Sequence, residues 1–248
     1  MNQHETSKGW LLGKRVSFRQ FRSGHRSGFE PVLMAALVPA QAGELVLEAG
    51  TGAGAALLCL AARVPGVRGT GMECDAALAG LAARNFADNG FTGLSVVNGD
   101  VTTMPFAPHT FHHVMANPPW FGTQNTPSPD PARSRAHHAP KTTLGAWVTE
   151  MLRVLRDKGT ITLVLPSFAY AQAVSLLLPA CGGILLLPLW PRAGVKAKMI
   201  LVQAQKASHA PDAVLPGLVL HDTNGVTKEA EAVLRNGLGL HEARLHQQ

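Results

Sequence analysis

Three cysteines in 248 residues, Cys59, Cys74 and Cys181, are too few and too scattered for a disulfide framework or a zinc spacing, and they point to reduced thiols. No apolar run approaches the ~20 residues that cross a bilayer; the longest, Ile184 to Leu189, is broken by Pro188. Met1 to Gly9 is polar and lacks the apolar segment of a secretory signal. There is no internal repeat, and no low-complexity block apart from one Pro- and Ser-rich stretch. These absences set the expectation of a cytoplasmic protein with no membrane partner. Acids are also scarce: 16 Asp and Glu against 22 Lys and Arg give a net charge of +6. That excess suits a polyanionic partner and equally a basic, solvated surface. Its local form is more specific. Lys14, Arg15, Arg19, Arg22, His25 and Arg26 interleave with Phe18 and Phe21, so cations for phosphates stand beside rings that stack on bases. An edge hairpin with a solvated face has the same composition.

The residues present read as one α/β domain with alternating strands and helices. Residues 1–9 read as a frayed tail, Val16 to Phe21 as a strand, and Pro31 to Val38 as a short apolar helix ended by Pro39. Strands then follow at Leu45 to Ala49, Val67 to Met72, Leu94 to Val97, Phe111 to Ala116 and Gly159 to Leu165. Between and after them, helical patterns run over Ala53 to Arg63, Asp75 to about Asp88, Leu144 to Arg156 and Phe168 to Leu178. Ile184 to Leu189 and Ala197 to Ala204 are joined too closely for a helical crossover, so they should pair antiparallel. The pattern is a doubly wound, mostly parallel sheet with an antiparallel edge. Residues 1–38 should form a basic segment and helix over the site, 39–205 the core, and 206–248 an extension of the same domain. The long loop Gly122 to Lys141 reads as a lid or binding loop.

Two stretches carry chemistry. The first strand runs into Glu48-Ala49-Gly50-Thr51-Gly52-Ala53-Gly54, where glycines let the backbone turn sharply toward a ligand at a helix N-terminus. Gly50, Gly52 and Ala55 also fit a dinucleotide fingerprint with Glu73 as the ribose acid, and a plain strand-to-helix turn has the same form. Glu48 tips the balance, because an acid there suits a cationic aminoacyl group better than a nicotinamide; Asp100, after the third strand, can accept from an adenine amino group. The second stretch is Asn117-Pro118-Pro119-Trp120. Prolines cannot continue a strand ladder, so the chain leaves the sheet with a carboxamide, carbonyls and an aromatic plane together at a strand's end. Such acceptors hold the hydrogens of an amino group while Trp120 stacks on its plane. A base or metal for an oxygen nucleophile is missing. His112-His113 and His137-His138 lack a third ligand at metal spacing, and His241-Glu242 with His246 misses a zinc-protease pattern by one residue, so no metal is expected.

Together, E-x-G-x-G-x-G after strand one, Glu73 after strand two and Asp100 after strand three resemble the class I S-adenosylmethionine methyltransferases, over roughly Leu45 to Ala204. The resemblance implies a Rossmann-like, seven-stranded sheet in the order 3-2-1-4-5-7-6 with an antiparallel last strand. It implies S-adenosyl-L-methionine as cofactor and S-adenosyl-L-homocysteine as product. Gly50, Gly52 and Gly54 would wrap the methionine part, with Glu48 facing it, Glu73 on the ribose hydroxyls, Asp100 at the adenine and the methyl group pointing at Asn117. Asn-Pro-Pro-aromatic after that family's fourth strand resembles the amino-methyltransferases of adenine N6, guanine N2 and glutamine N5, which makes Asn117, Pro118 and Trp120 the catalytic set. Phe18-Arg-Gln-Phe21 and Gly28 to Pro39 are similar to the bacterial tRNA adenine N6-methyltransferases acting on adenosine 37 of valine tRNA. That likeness adds Gln20 to the cofactor residues and tRNA as partner, with Arg19, Arg22, Arg26, Arg133, Arg135 and Lys141 on its phosphates. The sequence departs from that family at Glu30-Pro31, where an Asp is common, and at Trp120, where Tyr or Phe is usual. A protein glutamine N5-methyltransferase and a non-catalytic cofactor- and RNA-binding module are the other readings.

Overall fold

The chain begins with a hairpin rather than a tail. In the computed structural model, which describes residues 5–23, 26–119 and 143–245, Thr6–Leu11 (β1) pairs antiparallel with Val16–Phe21 (β2). The residues of β1 carry little β propensity of their own; the ladder offered by β2 decides their conformation. The turn passes through left-handed Leu12, Gly13 and Lys14, and Arg15 Nη2 locks it by donating to the carbonyl of Asn236 at 2.8 Å.

Glu30–Leu37 (α1) has Pro31 in its first turn, where its missing N–H costs nothing, and buries every residue from Val32 to Leu37. Leu45–Ala49 (β3) is the central strand. Gly54 stands at φ +86°, so the next helix starts at Ala55–Arg63 (α2), two residues later than its composition suggests. Arg68–Glu73 (β4), Ala76–Asp88 (α3), Leu94–Asn98 (β5) and Phe111–Ala116 (β6) follow, with Asp75 capping α3 through bonds from Ala77 N and Leu78 N. Leu144–Val154 (α4) gives way to strand at Leu155–Pro166 (β7), four residues before the expected Gly159, with a register shift against β6 and Lys158 at φ +63°. A 3-10 turn at Ser167–Ala169 precedes Tyr170–Leu177 (α5), and Cys181–Trp190 (β8) and Met199–Lys206 (β9) complete the core.

In the sheet β5, β4, β3, β6, β7, β9 and β8 are successive neighbours, and β9 is antiparallel to both of its neighbours. This is the order 3-2-1-4-5-7-6 expected above. Among the described residues the sheet has nine strands rather than seven, because Ala213–Val214 (β10) and Leu218–Val219 (β11) pair in parallel with the outer edge of β8. Two-residue pairings leave no periodicity to read. The C-terminal segment continues through a small hairpin, His221–Asp222 (β12) with Gly225–Val226 (β13), into Lys228–Leu234 (α6) and Leu240–Leu245 (α7). Helices α1, α2, α3, α6 and α7 share one apolar core with the first hairpin, while α4 and α5 cover the other face. Buried Gln203 on β9 joins the layers, donating through Nε2 to the free carbonyl of Leu37 at the end of α1 and to Thr162 Oγ1. Parallel strands β3, β4, β5, β6 and β7 thus bring their carboxyl ends to one rim.

Candidate active site

At that rim the turn after β3 is held from three sides. Gly50 N and Thr51 N both donate to the carbonyl of Met72 at 2.9 Å, and Gly54 N closes the turn onto Thr51. All three glycines have left-handed φ angles. A side chain at Gly50 would meet the Trp147 ring 2.7 Å from its Cβ, whereas a Cβ at Gly52 would have nothing within 4 Å. Gly50 is therefore demanded by packing, and Gly52 leaves an open approach to the backbone beside a helix N-terminus. That opening has the Glu73 carboxylate at its edge, on Gly52 N.

The acids have distinct duties. Glu73 is buried; its Oε2 accepts from Gly52 N at 2.9 Å and its Oε1 from Asp75 N at 3.0 Å. Each carboxylate oxygen keeps lone pairs beyond those bonds, so the same group can accept from ribose hydroxyls. Glu48 lies deeper, under the turn. Its Oε2 accepts from Thr51 Oγ1 at 2.7 Å and from Leu57 N at 3.3 Å, which braces the glycine segment from inside the protein. Burial pushes this carboxyl up to about 8 against the pull of those two bonds, and the charge of Glu73 adds to the rise. Exposed Asp100 caps the 3-10 turn that follows β5, its Oδ1 accepting from the amide and the hydroxyl of Thr102, both at 2.8 Å. Asn98, which the sequence did not single out, donates through Nδ2 to the carbonyls of Glu73 and Cys74 and ties the ends of β5 and β4 together.

Across the rim, Ala49 pairs with Ala116, so Asn117 leaves β6 directly beside the place where Gly50 leaves β3. Asn117 is half-buried, Pro118 is buried and Pro119 is exposed. Trp120, Arg133, Arg135 and Lys141 lie outside the described residues, as does the expected loop from Gly122 to Lys141. Glu48, Gly50, Gly52, Gly54, Glu73, Asp100 and Asn117 are thus gathered along one rim.

The N-terminal candidates are held otherwise. Gln20 Oε1 accepts from Ser27 N and steadies the approach to α1. Arg19 pairs with Asp88 at 3.2 Å and Arg22 with Glu5 at 3.4 Å, both at the surface, and Arg26 is exposed. The histidines of β6 serve the opposite end of the strands: His112 Nδ1 accepts from Leu45 N, and His113 bridges Thr160 and Glu44.

One buried side chain links hairpin and rim, and it escaped sequence reading. Asn85 on α3 accepts from Arg19 N at 3.0 Å, and its Nδ2 donates to the carbonyls of Arg19 and Ala53, each at 2.9 Å. Asn89, one turn on, makes the same paired contact with Ser17 N and O. The two carboxamides act as a false strand along the free edge of β2, and Asn85 continues into the glycine turn. Their spacing of i and i+4 on a helix was the signal available. Asn85→Leu keeps the volume but leaves three backbone groups, one buried and two partly buried, without their partner, and should destabilise the protein by about 2–4 kcal/mol. Hydrogen exchange that loosens residues 16–21 before the sheet would show this; unchanged protection of the hairpin would count against it.

Residues 46–159 match the family described as a methyltransferase domain. That stretch, from β3 into β7, is thus similar to a methyltransferase domain. A predicted O-methyltransferase of Agrobacterium tumefaciens shares the fold of this domain and what surrounds it, with a TM-score of 0.70 at 24% identity over 84% of this chain and 96% of that one. Among curated relatives, the tRNA1(Val) (adenine(37)-N6)-methyltransferase of Bacteroides thetaiotaomicron is 31% identical over 157 residues, 60% of this chain and 65% of that protein. The chain thus spans just under two thirds of that relative's length. The protein of the same name from Proteus mirabilis is 27% identical over 184 residues, 71% of this chain and 73% of its own. Among the described residues no helix is long and apolar enough to cross a membrane, and no cluster of three or more acids, histidines or cysteines is arranged to hold a metal.

Proposed function

We propose that this protein transfers a methyl group from S-adenosyl-L-methionine to the N6 amino group of an adenine in tRNA, in the cytoplasm. The observation that carries the reading is the adjacency of Asn117 and the glycine turn at the ends of paired strands β6 and β3. An adenine amino group is a weak nucleophile because its lone pair is delocalised into the ring. The Asn117 Oδ1 and the Pro118 carbonyl are acceptors for its two hydrogens; holding them lets nitrogen pyramidalise toward the methyl group. Trp120 supplies the plane on which the base stacks. The bound cofactor contributes an electrophilic methyl group on sulfur. Glu73 and the amide-lined turn at Gly52 would hold its ribose and methionine ends, and Asp100 its adenine. In-line alignment does the main work, and the proton leaves the methylated nitrogen to water. The names of the relatives support adenine in tRNA over the other amino acceptors of an Asn-Pro-Pro-aromatic site.

Purified protein incubated with methyl-labelled cofactor and unmodified valine tRNA transcript should yield label in N6-methyladenosine on nucleoside digestion. Label in protein glutamine with none in tRNA would replace this reading, and label in neither would remove it.

A further inference from the structure

Residues 158–211 contain no Asp or Glu. The cations of this span divide between the two ends of the sheet. At the amino end of β7, Lys206 Nζ donates to the carbonyls of Leu152 and Leu155 and Lys158 Nζ to that of Ala207, so both serve the fold. Arg192, Lys196 and Lys198 lie at the other end, on the connection from β8 to β9. All three are exposed, and none makes an ion pair among the described residues.

The antiparallel register of β9 carries this connection to the catalytic rim. Met199 pairs with Pro166 at the carboxyl end of β7, and Ser167 N donates to the carbonyl of Lys198 at 2.8 Å. The segment thereby joined to Lys198 exposes two aromatic rings, Phe168 at 73% and Tyr170 at 51%. Strand β7 lies between β6 and β9, so Lys198 stands two strand spacings, ~10 Å, across the sheet from the strand that carries Asn117. Exposed rings beside cations that make no ion pair among the described residues match the make-up of a single-strand nucleic-acid platform: rings stack on bases of any sequence and cations hold the phosphates between them.

We propose that Phe168, Tyr170, Arg192, Lys196 and Lys198 form a binding surface for the single-stranded RNA that flanks the target amino group. The inference rests on RNA as the acceptor class, and it adds to the site a wall on the side of Asn117 away from the cofactor turn. Charge selects the partner: a neutral or basic peptide gains nothing from three such cations, whereas each one that meets a phosphate releases a counterion.

The test measures binding of unmodified valine tRNA transcript, and of a short mixed-sequence single-stranded RNA, to the full-length protein at several salt concentrations. The combined variant Arg192→Ala, Lys196→Ala, Lys198→Ala should weaken both by about tenfold or more at low salt and lower the slope of log affinity against log salt by about 2–3. Phe168→Ala with Tyr170→Ala should weaken both about tenfold and leave the slope unchanged. Affinity for S-adenosylmethionine, equal to wild type in both variants, shows that they fold. Wild-type affinity and slope in the triple variant would overturn the surface, whatever the methylation assay gives. Wild-type protein that binds tRNA through these residues but makes no N6-methyladenosine would keep the surface and remove the adenine reading instead. Loss of activity on an acidic protein in the triple variant, with no tRNA binding by wild type, would overturn it in favour of a protein partner.

Discussion

Asn117→Ala should lower kcat for methyl transfer by a factor on the order of 1,000, the scale seen when a single preorganised polar partner of a transition state is removed. The loss should fall on kcat because the amino hydrogens need the Asn117 oxygen most while nitrogen rehybridises; ground-state stacking on the Trp120 plane is left in place. Affinity for S-adenosylmethionine should stay within a few-fold of wild type, since the groups proposed to hold the cofactor come from the ends of β3, β4 and β5. Asn117→Asp, which keeps an acceptor oxygen at the same reach, should retain more activity than the Ala variant. Single-turnover rates with tRNA transcript would decide it. Equal rates in wild type and Asn117→Ala would mean that the carboxamide only shapes the turn after β6.

Glu48→Gln should make the cofactor-free protein more stable than wild type at pH 8.5 while leaving the two close at pH 4.5. The buried carboxyl titrates near 8, against 4.5 for an ordinary glutamate. Below pH 4.5 it is protonated in folded and unfolded chains alike and adds no pH dependence. As pH rises from there to about 8, the unfolded chain releases a proton that the folded chain retains, so wild type loses stability through that window and has lost it fully above it. Gln has no such proton to lose and keeps an oxygen for Thr51 Oγ1 and Leu57 N. The expected gain at pH 8.5 is on the order of 2–5 kcal/mol. Urea unfolding of both proteins at several pH values measures it; parallel stability curves would show that Glu48 is ionised in place.

The parts of this molecule legible in advance are those whose meaning is local. Glu48 to Gly54 carries its turn in its own composition, and the prolines after Asn117 end a strand wherever they occur. What could not be read depends on a partner distant in sequence. Strand β1 takes its form from β2, and β10 and β11 exist because β8 has an unfilled edge. Asn85 looks like an ordinary helix residue until the edge of β2 lies against it. Arg19 and Arg22 cluster along the chain, yet each already has an acid beside it, while Arg192, Lys196 and Lys198 are scattered along the short connection of the last two strands. Only the register of β9 against β7 sets Lys198, and with it the connection that carries the other two, beside the segment of Phe168.

The bond from Arg15 to Asn236 joins residues 221 apart in the chain. During synthesis the hairpin leaves the ribosome before α3 and can dock on it once Asn89 has emerged, but its turn stays unlatched until α6 arrives. Closing so long a loop is slow and is rewarded only at the end. Residues made before the sheet are therefore among the last to be secured, and protease sensitivity of the hairpin in stalled chains should persist until residues beyond Asn236 have been added.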